Sequence, residues 1–285
     1  MTFDELKNCK YAVIGNPIAH SKSPQMQNAG FEFYGMGSIY GKKFVEKEEL
    51  AEFVEFARKN LNGFNITVPY KQDIIPFLDE ISRSAKMSNS VNTVRIENGR
   101  LSGTSTDGVG LATALQVHFN KDVEGLKVVF AGAGGAAQAA AWYFACNGAE
   151  SIFIANRSLS KAEQLSSALK KAFPDLECDI CELADGEKLS SFLQRSEVLI
   201  QATSLGLKAE DNAPFDFDVL ANISGLCVYD LIYKETELLN YCREHGIKHA
   251  NGSDMLLYQG AASFEFWTGK KAPVEAMRQG LENAL

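Results

Sequence analysis

Lys127-Val-Val-Phe-Ala131-Gly132-Ala133-Gly134-Gly135-Ala136-Ala137 joins an apolar run to a glycine-rich turn and then to a series of small residues. A strand, a GxGxx(G/A) turn and a helix start, in that order, make a seat for a diphosphate. Gly132 permits the tight turn, Gly134 lets the backbone approach a pyrophosphate, and Ala137 is small enough for close helix–sheet packing. The amides at the helix N-terminus then face the anion. Gly132, Ala133, Gly134, Gly135 and Ala136 are therefore candidate cofactor-binding residues.

The next strand, predicted over 151–155, ends in Asn156-Arg157-Ser158, with Lys161 one turn further on. An Asp or Glu at this place would accept from a free ribose 2′-OH, and it would repel a 2′-phosphate. Arg157 instead offers several donors and a planar face, and Lys161 adds a second positive charge. The preferred cofactor is thus NADP, held by Asn156, Arg157, Ser158 and Lys161. The plainer alternative for the two cations is a solvated helix start.

Around this core the pattern alternates. Helices are predicted over 136–147 and 159–173, strands near Cys178, over 198–202 and over 226–230, and a helix near 189–193. Apolar strands alternating with helices imply a parallel sheet covered on both faces. Before residue 105 the style differs. Strands are predicted over 10–14 and 63–67, and a helix over 46–61 with Leu50, Phe53, Val54, Ala57 and Leu61 on one face. A β pair is joined through Asn98-Gly99, and a helix covers 109–119. Helices over 255–267 and 273–281 close the chain and are expected to pack back toward the first part. The expected fold is α/β, with an N-terminal α/β domain (1–106, completed by 255–285) and a Rossmann-type domain (107–254).

A length of 285 residues favours two domains. A net charge of −8 with no block of Lys or Arg argues against nucleic acid and anionic membranes as partners. No window reaches the apolar length of a membrane span, and the N-terminus lacks the form of a signal peptide. A cytoplasmic monomer or homodimer is the expectation. Cys178 and Cys181 form a lone CxxC without a second pair or a nearby His, so no metal is expected.

Four further segments are rich in polar groups: Gly15-Asn-Pro-Ile-Ala-His20-Ser21-Lys22-Ser23-Pro24, Asn65-Ile-Thr67-Val-Pro69-Tyr-Lys71, Ser90-Val-Asn92-Thr93 and Thr104-Ser-Thr106-Asp107-Gly108. Together with the Gly132 turn, Ala202-Thr203-Ser-Leu-Gly206, Asp230-Leu231-Ile-Tyr233 and Met255-Leu-Leu-Tyr-Gln259-Gly-Ala261, they run in the order of the motifs of the shikimate dehydrogenase family. The chain resembles that family from about residue 11 to about residue 270.

The resemblance implies reversible, NADP-dependent reduction of 3-dehydroshikimate to shikimate, a step toward chorismate and the aromatic amino acids. It implies Lys71 and Asp107 as the catalytic pair. Ser21 and Ser23 would bind the substrate carboxylate with Tyr233 nearby, and Thr67, Asn92 and Gln259 would surround the ring oxygens. Thr203, Leu231, Gly252 and Met255 would lie near the nicotinamide. The chemistry wants such a pair, because hydride addition to a ketone makes an alkoxide that needs a proton and a nearby positive charge. The plainer readings are a surface Lys71, an Asp107 that caps a helix, and a Ser23-Pro24 that only starts one.

Several positions depart from the family: Gln138 where an Arg is usual, Gln27-Asn28 for His-Asn, Asn89-Ser90 for Gly-Ala, Ser105 for Asn, and a shortened Lys234-Glu235-Thr236. Two rivals remain. One is a quinate/shikimate dehydrogenase using NAD. The other is a non-catalytic NADP-binding regulatory module.

Overall fold

The computed structural model describes residues 1–208, 210–221 and 223–284. It divides into two compact units, one of Met1–Gly110 with the residues from Leu257 onward, the other of Leu111–Leu256.

The first unit opens with α1 (Phe3–Leu6), β1 (Tyr11–Gly15), α2 (Ser23–Phe33), β2 (Tyr40–Phe44), α3 (Leu50–Asn60) and β3 (Gly63–Ile66). It continues with β4 (Glu80–Ile81), α4 (Arg83–Ser88), β5 (Thr93–Glu97) and β6 (Arg100–Thr104). Its six strands form a mixed sheet in the order β2-β1-β3-β5-β6-β4, in which β1 is parallel to both β2 and β3 and β5 is antiparallel to β3 and β6.

Sequence periodicity explains α3. Leu50, Phe53, Val54 and Ala57 are all buried, and they meet the inner face of the sheet through Phe64 and Ile14. Each Phe or Leu removed from water in this way contributes about 2 kcal/mol. The β5–β6 turn is the expected two-residue hairpin, with Asn98 at φ 51° and Gly99 at φ 75° and with Glu97 opposite Arg100.

Next comes α5 (Asp107–Phe119), and after it β7 (Lys127–Ala131), α6 (Gly135–Cys146), β8 (Ser151–Asn156), α7 (Leu159–Ala172), β9 (Glu177–Glu182) and α8 (Gly186–Gln194). The second unit is completed by β10 (Val198–Gln201), β11 (Cys227–Asp230), α9 (Glu237–Glu244) and β12 (Lys248–Ala250). Its sheet is parallel throughout, in the order β12-β11-β10-β7-β8-β9. From β7 the chain steps outward to β9 and then returns to the other side of β7 as β10. Ligands of such sheets bind outside the carboxyl ends of the strands at this reversal.

The long helix α10 (Ser253–Thr268) and α11 (Val274–Glu282) end the chain, and α11 packs on α2 within the first unit. That contact is close because Gly280 lies over Gln25 and Ala29, where a Cβ would come within 2.6 Å of the Ala29 Cβ. Trp267 of α10 seals the sheet, its Nε1 donating to the Val94 carbonyl at 2.8 Å. Sequence periodicity did not resolve α2 beyond its start, nor β2, β4, α4, α9 and β12. Buried Lys43 and Gln27 interrupt the apolar pattern in β2 and α2.

The CxxC thiols lie three residues apart on β9, hence on opposite faces of the sheet. Cys178 donates to the Ser166 hydroxyl of α7, and burial pushes the Cys181 thiol up to about 12. They are core residues.

Candidate active site

Among the described residues no helix is long and apolar enough to cross a membrane. The chemistry concentrates at the ends of strands.

In the second unit, Gly132 follows β7 at φ 121°, in the left-handed region that glycine tolerates. Its Cα faces the backbone after β10, where a Cβ would stand 2.8 Å from the Ala202 carbonyl carbon. Gly134 has φ −77°, and a Cβ there would meet nothing within 4 Å, so this side of the turn is open. No side chain caps the α6 N-terminus, and exposed Gly134 and Gly135 leave its first amides to an anion. The turn is braced from both sides. Asn156 Oδ1 accepts from the Ala133 amide at 3.1 Å, and Gln138 Nε2 donates to the Ala133 carbonyl at 3.1 Å. Asn156 is therefore engaged within the protein, its Nδ2 donating to the Ser158 carbonyl at 2.9 Å.

Arg157 and Lys161 are exposed and have no ion-pair partner among the described residues, so both charges are free for an anion. Ser158 shares a hydrogen bond with Ser160. A largely apolar cavity of about 530 Å³ begins at Arg157 and is walled by Leu183, Ala184, Pro214 and Phe215.

Thr203 follows β10 in the loop that faces Gly132. Its amide donates to Gln201 Oε1 at 2.6 Å, and its hydroxyl accepts from the Leu205 amide. Leu231 and Gly252 lie back to back, with no room for a side chain on Gly252. The Met255 amide donates to the Tyr229 hydroxyl at 3.0 Å. The open diphosphate cradle, the unpaired cations and the apolar cavity fit a phosphorylated dinucleotide.

The first unit gathers the other set. Lys71, just beyond β3, donates from Nζ to Asp107 Oδ2 at 2.6 Å, with the two side chains 17% and 7% exposed. Asn92, at the start of β5, donates to Asp107 Oδ1 at 2.9 Å and faces Gln259 Oε1 of α10 at 3.3 Å. Both carboxylate oxygens of Asp107 are thus occupied by donors. Asp107 is the first residue of α5 and not its cap. The Thr106 carbonyl accepts from Gly110, and the carboxylate gains from the amide dipoles of the first turn.

Ser21, Ser23 and Thr67 stand at the carboxyl ends of β1 and β3, which are parallel neighbours. The Ser23 amide donates to Ser21 Oγ at 3.4 Å, and Lys22, not Ser23, takes the cap position of α2. Tyr233 belongs to the second unit, in the turn after β11.

Behind the Lys71–Asp107 pair lies a buried network that the motif reading did not single out. Asn65 Nδ2 donates to the Asn92 carbonyl, Thr93 Oγ1 and Ser263 Oγ at 3.0, 3.0 and 3.1 Å, while its Oδ1 accepts from Tyr40 at 2.7 Å. Thr106 and Thr93 close the circuit on Asn92 Oδ1. Asn65, Thr93 and Thr106 sat inside the quoted polar segments, whereas Ser263 carried no signal. Of the histidines, His118 pairs with Asp254 at 2.7 Å and His245 stacks on Tyr241.

Residues 13–94 match the shikimate dehydrogenase substrate binding domain, residues 114–208 match shikimate / quinate 5-dehydrogenase, and residues 252–282 match the shikimate 5′-dehydrogenase C-terminal domain. The shikimate dehydrogenase (NADP(+)) of Desulfitobacterium hafniense (strain Y51) is 40% identical over 279 residues, covering 96% of this chain and 98% of that protein. A crystal structure of shikimate 5-dehydrogenase from Listeria monocytogenes in complex with shikimate and NAD is similar with a TM-score of 0.87 at 34% identity, over 95% of this chain and 96% of that one. The shikimate 5-dehydrogenase of Thermus thermophilus, in complex with NADP(H) and shikimate, gives 0.84 at 29% identity, over 97% and 100%. With matching domains from residue 13 to residue 282 and relatives this similar over nearly their whole length, the chain belongs to the shikimate dehydrogenase family.

Proposed function

We propose that the protein catalyses the reversible, NADP-dependent reduction of 3-dehydroshikimate to shikimate. One observation carries this reading. Lys71 and Asp107 form a largely buried ion pair within a chain 40% identical to an NADP-dependent shikimate dehydrogenase. Relatives solved with shikimate bound support the ring acid as substrate.

Bound NADPH supplies the hydride; the protein's own residues supply the proton and the orientation. As the ketone oxygen gains charge, the Lys71 ammonium hydrogen-bonds it and transfers a proton to it. Asp107 keeps Nζ in place through Oδ2, and Asn92 fixes the carboxylate through Oδ1. Ser21 and Ser23 offer hydroxyl donors to the substrate carboxylate, and Thr67 and Gln259 serve the ring hydroxyls. Gly132–Ala136 and Thr203 hold the diphosphate and nicotinamide ribose side of the cofactor, and Arg157 and Lys161 its 2′-phosphate. The six cysteines are free thiols, five of them buried, which suits the reducing cytoplasm.

A steady-state assay tests this. Reduction of 3-dehydroshikimate should be far faster with NADPH than with NADH, and 3-dehydroquinate should be a poor substrate. A preference for NADH and 3-dehydroquinate would assign the protein to quinate metabolism. NADP binding without turnover would mark a non-catalytic cofactor-binding module.

A further inference from the structure

We infer that Glu182 reads the adenine base of the cofactor, its carboxylate accepting a hydrogen bond from the 6-amino group. The inference rests on the NADP reading above and adds a base-selecting residue to it. No carboxylate ends β8, where Asn156 stands. The sheet supplies one beside it, because in the β8–β9 register Asn156 lies directly opposite Glu182, the last residue of β9.

Glu182 lines the same cavity of about 530 Å³ as Arg157, at the carboxyl edge of the sheet where the diphosphate turn also lies. Leu183, Pro214 and Phe215 give that cavity apolar walls, which suit the faces of a flat heterocycle. A pocket of this kind orients its ligand through the few polar groups on its lining. Two carboxylates are among them. Asp216 already accepts from the Asp218 amide at 3.0 Å. Glu182 is exposed and has no ion pair or side-chain hydrogen bond among the described residues, so its oxygens are available to a donor.

An ionised carboxylate only accepts, so it favours a base that presents an amino group and disfavours one that presents an oxo group at the same place. Arg157 and Glu182 thus divide the adenosine end, the cation taking the 2′-phosphate and the carboxylate the base.

The test is calorimetric titration of the protein with NADPH and with its 6-oxo analogue, reduced nicotinamide hypoxanthine dinucleotide phosphate. Wild type should bind NADPH about tenfold more tightly than the analogue, the scale of one hydrogen bond to a charged group. In Glu182→Gln the amide can donate to the 6-oxo group, and the ratio should fall toward one. In Glu182→Ala it should also fall, with both affinities lowered. Equal affinities in wild type, or a ratio untouched by either substitution, overturns the inference. So does a change confined to the NADPH/NADH ratio, which would mean that the carboxylate acts on the 2′-phosphate. Arg157→Ala separates the two claims: it should narrow the NADPH/NADH ratio and leave the base ratio intact. If wild type binds no NADPH, the cofactor reading itself has failed.

Discussion

Lys71 and Asp107 are 36 residues apart in the chain, and the fold brings their charged atoms to 2.6 Å. Replacing Lys71 with Ala removes the proposed proton donor and should lower kcat by about 10²–10⁴. An unchanged kcat in NADPH-dependent reduction would refute its role. A different carboxylate invites a stability measurement. Asp230 ends β11 fully buried, accepting from the Ile232 amide and the Thr236 hydroxyl. Burial raises its carboxyl above the ordinary 3.8, and those two hydrogen bonds only partly oppose the rise. A folded-state value above the unfolded one gives stability that is complete below about pH 3.8 and is lost as pH rises through the raised value. Asp230→Asn cannot ionise, so its stability relative to wild type should improve between pH 4 and pH 7. Urea unfolding at the two pH values measures this, and a difference that does not vary with pH would contradict it.

In the β7–α6 turn two glycines differ in backbone demand, so folding and the proposed cofactor binding can be tested separately. Gly132 needs a positive φ and has backbone against its Cα, so Gly132→Ala should cost stability, of the order of 1–3 kcal/mol, together with NADP affinity. Gly134 has a φ open to any residue and no neighbour for a Cβ. Gly134→Ala should therefore unfold at the same urea concentration as wild type and yet bind NADP about tenfold or more weakly. Equal affinity in that variant would move the pyrophosphate away from this turn. The β9 strand teaches a related lesson. Its lone CxxC reads as small strand residues, and a period of two sends the thiols to opposite faces.

At the scale of the molecule, each unit carries one tryptophan, Trp267 in the first and Trp142 in the second. Trp142→Phe and Trp267→Phe therefore each leave a fluorophore in one unit. Saturating NADP at about 100 times its Kd should add about 2.7 kcal/mol to the transition reported by Trp142. Shikimate should act on the one reported by Trp267. Equal shifts of both signals by either ligand would show that the chain unfolds as one cooperative block.

Local signals were enough for β7 to β11 and α6 to α8 of the second unit, though not for α9 and β12, since apolar runs, small residues and a glycine turn are properties of neighbours in sequence. The same holds for α3 and the Asn98-Gly99 hairpin. The polar segments were also legible, but the roles of Lys71, Asp107 and Asn92 within them came from the family resemblance, since a lysine after a proline is usually exposed and an aspartate before a helix usually a cap. Contacts made across the sheet were invisible. Ser263 joins Asn65 only after α10 has packed on β3, and Glu182 meets Asn156 only through the register of two parallel strands. Register and helix packing are set by how whole faces bury apolar surface together, a sum over distant residues that no short stretch of chain contains.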